Sequence, residues 1–321
     1  MSNYLARALR FHKLFKSILH FLFRMKLTFL GTSDWMPTIK RNHTAILLTY
    51  DGENILVDCG EGTQRQFKKA KISPTKITRI LITHGHADHF LGIMGLLKTL
   101  KLMNYKKTLY IYGPKGVKNQ LKKFREVFGF KPNYEIKVKE VSNSKFLETK
   151  DFYLESKSMT HIIPCNAYSF VKKGKLRIDK KKLKKYKIPS GPILSKLKQG
   201  KSIRYKGKRY SVKDLTYQQG EIKVSFVFDT SVNKKIVPLV KNSDVLVSES
   251  SFSEELKGRA REYKHLTSKQ AAEIAKKAKV KKLVLTHISS RYEKNLNKIL
   301  KEAKKVFKSS RLVKDLDVVR V

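Results

Sequence analysis

From Met25 onward, apolar and polar residues fall into short alternating blocks. KLTFLG, TAILLTY and NILVDCG are β-branched, aromatic and aliphatic runs cut off by turn residues, and each predicts a strand. ITRILIT is nearly continuous in apolar character, which predicts a central strand covered on both faces. LGIMGLLKTLKLM switches to helical spacing. TLYIYG predicts a strand, KGVKNQLKKFREVFG a helix stopped by Gly129, and YEIKVKEV and DFYLESKSM two more strands. Farther on, VSFVFDT, DVLVSES and KKLVLTH predict strands with acids or a histidine at or near their C-terminal ends, and VVRV a closing strand. TSKQAAEIAKKA and LNKILKEAKKVF predict helices. Thr267 and Gln270 open the first at capping-box spacing, where hydroxyl and amide satisfy free N–H groups reciprocally. Two runs of strands with interspersed helices predict an α/β fold of two stacked sheets flanked by helices.

The first 24 residues break the pattern. MSNYLARALRFHKLFKSILHFLFR carries five basic residues, no acid, and apolar positions at helical spacing. It reads as a membrane-surface helix or a targeting segment, or as a dispensable stretch ahead of a true start at Met25. No run of 18 or more apolar residues predicts a transmembrane helix.

Charge changes the picture further. The 321 residues hold 71 Lys+Arg against 26 Asp+Glu, a net +45, while 40% hydrophobic residues suffice for a substantial core. Such an imbalance repels itself unless a polyanion screens it, so nucleic acid is the leading partner, with a lysine-biased composition as the alternative. Cys59 and Cys165 have no CxxC spacing. That excludes a disulfide framework and a thiolate zinc knuckle, and fits a reducing cytoplasm.

The chemistry concentrates in LITHGHADHF, where three of nine histidines fall within six positions. Thr83 ends an apolar strand and Leu91 opens a helical pattern, so His84-x-His86-x-Asp88-His89 occupies a strand-to-helix loop. Extended i and i+2 side chains point the same way, so His84 and His86 can grip one ion. A turn near Asp88 sends Asp88 and His89 toward a second. His161, Asp229 and His287 each follow a predicted strand and are candidates to complete the set. Imidazoles and carboxylates without thiolates favour zinc, with manganese or iron possible. A two-metal arrangement suits phosphodiester hydrolysis.

THGHADH after an apolar strand resembles the signature of the metallo-β-lactamase superfamily. FLGTSDWMPTIKRNHTAILL, LVDCGEGTQRQ, KIPSGPILSKLKQGKSI and LTHISSRY are similar, in order, to segments of its ribonuclease Z (tRNase Z) family, over about residues 25 to 321. The resemblance implies an αββα sandwich with a protruding basic flexible arm. It implies two Zn(2+) per subunit, one on His84, His86, His161 and bridging Asp229, the other on Asp88, His89, Asp229 and His287. Asp88 would also orient or deprotonate the attacking water. The implied activity is removal of the 3′ trailer from precursor tRNA by a cytoplasmic homodimer, each arm clamping the tRNA elbow for the partner's site.

The arm has support of its own. Residues 172 to 213 hold eighteen Lys/Arg and one acid, Asp179, a net +17 of the chain's +45. DKKKLKKYK cannot fold alone against such repulsion. Its expected task is neutralising phosphates, through Lys180, Lys181, Lys182, Lys184, Lys185, Lys196 and Lys198 around a tip at Gly191 and Pro192. The core would then comprise residues 25 to 171 and 214 to 321, with 1 to 24 as an extension.

Expelling a ribose 3′ oxygen calls for a proton donor. LVSESSF and EYKHLTS resemble the family's HEAT and HST motifs and supply Glu249 and His265 as a carboxylate-held donor pair. Ser248, Ser250 and Ser251 depart from HEAT. Ile39 stands where PxKxRN expects Lys, which puts discrimination against CCA ends in doubt. Phe228 stands where Gly often precedes the ligand, which is expected to narrow the site. His12, His20 and His43 receive no role. The competing readings are another hydrolase of this fold acting on a thioester or small phosphodiester, and a non-catalytic RNA-binding protein.

Overall fold

The computed structural model describes residues 25–321. The basic N-terminal stretch, with His12 and His20, lies outside them. Eighteen strands are assigned among the described residues. The first sheet contains β1 (Met25–Gly31), β2 (Ala45–Tyr50), β3 (Glu53–Val57), β4 (Arg79–Leu81), β5 (Leu109–Gly113) and β6 (Ile136–Glu140). The second takes β7 (Lys145–Glu148), β8 (Phe152–Ser158) and β9 (Asn166–Lys172). After β10 (Lys175–Ile178), β11 (Ile203–Tyr205), β12 (Lys208–Tyr210) and β13 (Thr216–Gln219), it continues with β14 (Ile222–Val227), β15 (Val245–Glu249), β16 (Lys282–Thr286) and β17 (Ser310–Leu312). β18 (Val318–Arg320) returns to the first sheet. The orders are β18-β1-β2-β3-β4-β5-β6 and β17-β16-β15-β14-β9-β8-β7, seven strands each.

Alternation within single strands builds three apolar layers. Ile46 and Leu48 face the core between the sheets, whereas Ala45 and Leu47 face helices outside the first sheet. Val245 and Val247 point inward, and Leu246 points to helices outside the second. Successive strand residues point to opposite faces, so a strand buried on both sides reads as an unbroken apolar run. The outer layers are completed by helices such as Ile93–Leu102 and Val117–Val127 on one side. Ser268–Lys277 and Leu296–Val306 complete the other. The result is an αββα sandwich.

β4 pairs parallel with β3 and β5. β14, β15 and β16 are mutually parallel. β8 runs in their direction because both it and β14 lie antiparallel to β9. The C-terminal ends of β8, β14, β15 and β16 therefore share one edge, where loops are free to carry polar side chains. Across the sandwich, Asn166 donates its backbone N–H to Thr83 O at 2.8 Å, joining this edge to the end of β4.

The basic insert continues the β9–β14 pair. Lys172 pairs with Ile222, and β10 with β13 from Lys175↔Gln219 to Ile178↔Thr216. The pairing carries the insert to Gln219, six residues past the boundary expected from charge. Lys180–Lys185 is helical, with Asp179 capping it by accepting from the N–H groups of Lys181 and Lys182. This lysine run is not alone: Leu183 packs with Ile188, Leu194, Leu197, Ile203, Tyr210 and Leu215 in a small separate core. Lys180, Lys181, Lys184, Lys185, Gly191, Pro192, Lys196 and Lys198 are exposed, and Lys182 is half-buried.

Candidate active site

β4 ends at Leu81, and a five-residue loop, extended at His86, leads into the short helix Ala87–Phe90. His84 and His86 thus project together, with His84 Nε2 3.0 Å from His86 Nδ1. The helical turn redirects Asp88 and His89. His161 follows β8, and its Nε2 lies 3.2 Å from His86 Nδ1. His287 follows β16 and brings its Nε2 to 3.1 Å from that of His89. Asp229, just past β14, divides the cluster. Its Oδ2 lies 3.4 Å from His84 Nε2 and 3.9 Å from His161 Nε2, and its Oδ1 3.4 Å from His89 Nε2 and 3.2 Å from His287 Nε2. Asp88 Oδ2 is 3.1 Å from His89 Nε2 and 3.5 Å from His287 Nε2.

Two of these positions are reached through uncommon backbone. Asp229 has φ 34° and His287 φ 55°, left-handed values that side-chain-bearing residues adopt at a cost. Tightly packed strands hold both there.

The donor set fits divalent metal ions. His84, His86, His161 and Asp229 form one group whose candidate ligand atoms all lie within 4.8 Å, and Asp88, His89, Asp229 and His287 form a second. Asp88 Oδ1 is buried with no hydrogen-bond partner, an expensive state unless a cation or other donor satisfies it. Burial drives His84 well below its ordinary pKa and lowers His86 and His161 too, so these rings present neutral nitrogens. Burial opposes the Asp229 carboxylate, but His287, His89, His265 and His84 outweigh it and hold the group ionised.

Glu249, at the end of β15, belongs to a different device. Its Oε1 accepts from Thr230 N at 2.8 Å, and its Oε2 accepts from Ser251 Oγ at 2.8 Å and faces His265 Nδ1 at 2.9 Å. Its lone pairs are spent on positioning, so it reads as a partner of His265 rather than a ligand. Burial opposes charge on His265, but Glu249 and Asp229 override it and raise the pKa to about 9.

The structure brings His84, His86, Asp88, His89, His161, Asp229, Glu249, His265 and His287 to one place, and the basic insert to another. It corrects the reading of Phe228: the ring is fully buried in the inter-sheet core, 6.2 Å from the His89 and His287 rings, and packs behind the ligands instead of narrowing the mouth. Within PTIKRN, Arg41 is buried and donates to Thr32 Oγ1 and Val313 O at 2.8 and 2.9 Å, and Asn42 Nδ2 donates to Glu61 O at 2.6 Å. Both brace the loop, while Ile39 is fully exposed.

Three participants escaped the sequence reading. Asp58 is buried, accepts from Thr83 N and Oγ1 at 2.7 and 2.8 Å, and faces His89 Nδ1 at 2.7 Å. It fixes the ring that offers Nε2 to the cluster. An acid at the end of the apolar strand NILVD carries the same signal that picked out Asp229. Ser251 Oγ lies 2.8 Å from His287 Nδ1 while donating to Glu249, so this departure from HEAT keeps a hydroxyl where one is used. His43 Nε2 lies 3.2 Å from Trp35 O and pins the loop beside the site. A cavity of about 750 Å³ opens over the cluster, lined also by Trp35, Phe252, Tyr263 and Arg291.

Comparison with known proteins covers both halves of this site. A family model described as Anti-Pycsar protein Apyc1 matches residues 25–178, which include the HxHxDH loop but not Asp229, Glu249, His265 or His287. Ribonuclease Z of Archaeoglobus fulgidus is 39% identical over 297 residues, 90% of this chain and 95% of that one. Ribonuclease Z of Nanoarchaeum equitans is 39% identical over 270 residues, 84% and 85% of the two chains. Among solved structures, human tRNase Z, short form, superposes with a TM-score of 0.69 at 26% identity, covering 92% of this chain and 99% of that one. The site, the metallo-β-lactamase fold and the length of these matches agree: the chain belongs to the ribonuclease Z family.

Proposed function

We propose that the chain is the endoribonuclease that removes the 3′ trailer of precursor tRNA, leaving a 3′-hydroxyl on the tRNA and a 5′-phosphate on the trailer. The observation that carries this is the joint occurrence of full-length ribonuclease Z relatives and a buried His/Asp cluster with a carboxylate-held histidine beside it.

His84, His86 and His161 with Asp229 Oδ2 would hold one divalent ion, and Asp88, His89 and His287 with Asp229 Oδ1 a second. Nitrogen and oxygen donors favour zinc, ahead of manganese or iron. Ions bound there supply Lewis-acid polarisation of phosphoryl oxygens and lower the pKa of water. Asp88 orients the attacking water and accepts its proton. As the P–O3′ bond opens, His265 gives its Nε2 proton to the departing oxygen, with Glu249 holding the ring through Nδ1. A pKa near 9 keeps that proton in place at neutral pH.

The insert binds the tRNA body. It leaves the second sheet at the ends of β9 and β14 opposite those carrying Asn166 and Asp229. The span from Ile222 to Asp229 is about 23 Å at roughly 3.3 Å per residue, which sets the base of the insert well away from the chemistry of its own subunit. That separation supports a homodimer in which each insert serves the partner's site. The described residues contain no helix long and apolar enough to cross a membrane. A tRNA substrate and two buried free cysteines support a cytoplasmic setting.

The test is to incubate metal-loaded protein with trailer-bearing precursor tRNA and map both new ends. Absence of a cut at the junction between tRNA body and trailer overturns the reading.

A further inference from the structure

Trp35 is the chain's one tryptophan, and it is 68% exposed at the mouth of the active-site cavity. Large exposed apolar rings are unremarkable when scattered, but this one sits on backbone held from several directions. His43 Nε2 meets Trp35 O at 3.2 Å, Ser33 Oγ donates to Met36 O at 2.7 Å, and Asp34 N donates to Ile288 O at 3.3 Å. Buried Arg41 braces the far end of the same loop. An indole displayed to solvent on a pinned loop is a partly preorganised stacking surface, because the loop need not be ordered when a partner arrives.

The occupant follows from the succession of neighbouring rings that links His265 to Trp35 at the mouth. Centroids run from His265 to His161 at 5.5 Å, His161 to His86 at 5.0 Å, and His86 to Trp35 at 6.3 Å. His265 ends the row beside a second aromatic flank, Phe252 stacked with Tyr263 at 6.5 Å and covered by the Arg291 guanidinium at 5.0 Å. On the proposed reaction, on which this inference rests, the proton from His265 goes to the 3′ oxygen of the last tRNA-body nucleotide. That nucleotide therefore lies at the Phe252 flank, and the chain beyond the phosphate leaves past His86. We propose that Trp35 stacks on the base of the first trailer nucleotide and positions it for cleavage. Stacking on an exposed indole accepts any base, which suits trailers of varied sequence.

The experiment uses the metal-loaded full chain and three precursors: an ordinary one, one abasic at the first trailer position, and one abasic at the last tRNA-body position. Trp35→Ala is expected to lower kcat/KM about tenfold on the ordinary precursor and on the body-abasic one, with Trp35→Phe losing less. On the trailer-abasic precursor, Trp35→Ala should match the unsubstituted protein. The intrinsic fluorescence of Trp35 provides a readout without turnover. Binding of a precursor whose junction resists hydrolysis should quench it, and a trailer-abasic version should not. Equal losses for Trp35→Ala on ordinary and trailer-abasic precursors overturn the proposal, as does quenching that depends on the tRNA-body base instead. Should Trp35→Ala fail to fold, fluorescence of the unsubstituted protein and the Phe variant still decide. If the unsubstituted protein binds but cuts no precursor, the functional reading fails independently of the stacking result.

Discussion

The buried His/Asp cluster and the basic insert are built on opposite principles. The cluster mixes acids with imidazoles in a largely buried setting, and holds its side chains by packing and hydrogen bonds: His89 by Asp58, His287 by Ser251, His265 by Glu249. The insert is nearly all of one sign, keeps most of its lysines in water, and relies on a core of seven buried side chains. In the first, each side chain has its own distinct partners, so no other residue can take its place. In the second, many equivalent charges share one task, so none is indispensable. The proposed function needs both, and single substitutions should tell them apart.

Asp88→Ala should have the largest effect. It removes a ligand and the proposed proton acceptor together, so turnover on precursor tRNA should fall below detection. Affinity measured by filter binding should remain near that of the unsubstituted protein, because the insert lies at the other end of the sheet. Collapse of binding would break the division between the two regions. His265→Ala comes next, with a loss in kcat of about 10²–10⁴-fold, the usual worth of a positioned acid. Metal content, measured by elemental analysis, should stay unchanged, since His265 is read as a donor and not a ligand. A drop in metal content would assign His265 to the third nearby group of Asp229, Glu249, His265 and His287.

The same contrast explains what could be read from sequence. The candidate ligands were legible because polar residues stand where strands end: β4, β14 and β16 are apolar runs that stop abruptly just before them, and His161 follows the alternating β8. β9 was not anticipated, although it is central. NAYSFVK interrupts its apolar run with Asn166 and Ser169, whose polarity is satisfied only in three dimensions. Ser169 Oγ meets Ser225 Oγ at 2.7 Å, and Ser225 Oγ meets Ser243 Oγ at 2.8 Å. The helix Thr63–Lys69 was missed for a related reason: it opens after Gly62 in a left-handed conformation and buries little beyond Gln66 and Phe67. The insert was legible as charge and as a Gly-Pro tip, but not as folded structure. Its helices and hairpin depend on contacts among residues such as Leu183, Leu197 and Tyr210, which carry no periodic signal amid lysines.

Asp58→Asn probes the cluster one layer out. The amide can accept only at its oxygen, so either Thr83 or His89 loses its partner. Metal affinity, measured by chelator competition, should fall about 10–100-fold, the usual cost of losing a carboxylate behind a ligating histidine. Unfolding midpoints in the metal-free state should move little by comparison. An unchanged metal affinity would mean that packing alone orients His89.

Lys184→Ala should produce the smallest effect, and its size is the point. Lys184 is exposed on the helix Lys180–Lys185 and shares its field with lysines on either side. Removing one phosphate partner should weaken tRNA binding by a few-fold at moderate salt and reduce the slope of log affinity against log salt by about 1. kcat at saturating tRNA should be unchanged. Combining it with Lys180→Ala and Lys196→Ala should lower the slope in nearly equal steps, since exposed charges that share no partner act independently. A single lysine that removed most of the affinity would instead reveal a specific, cluster-like contact inside the insert, and the two regions would no longer differ in kind.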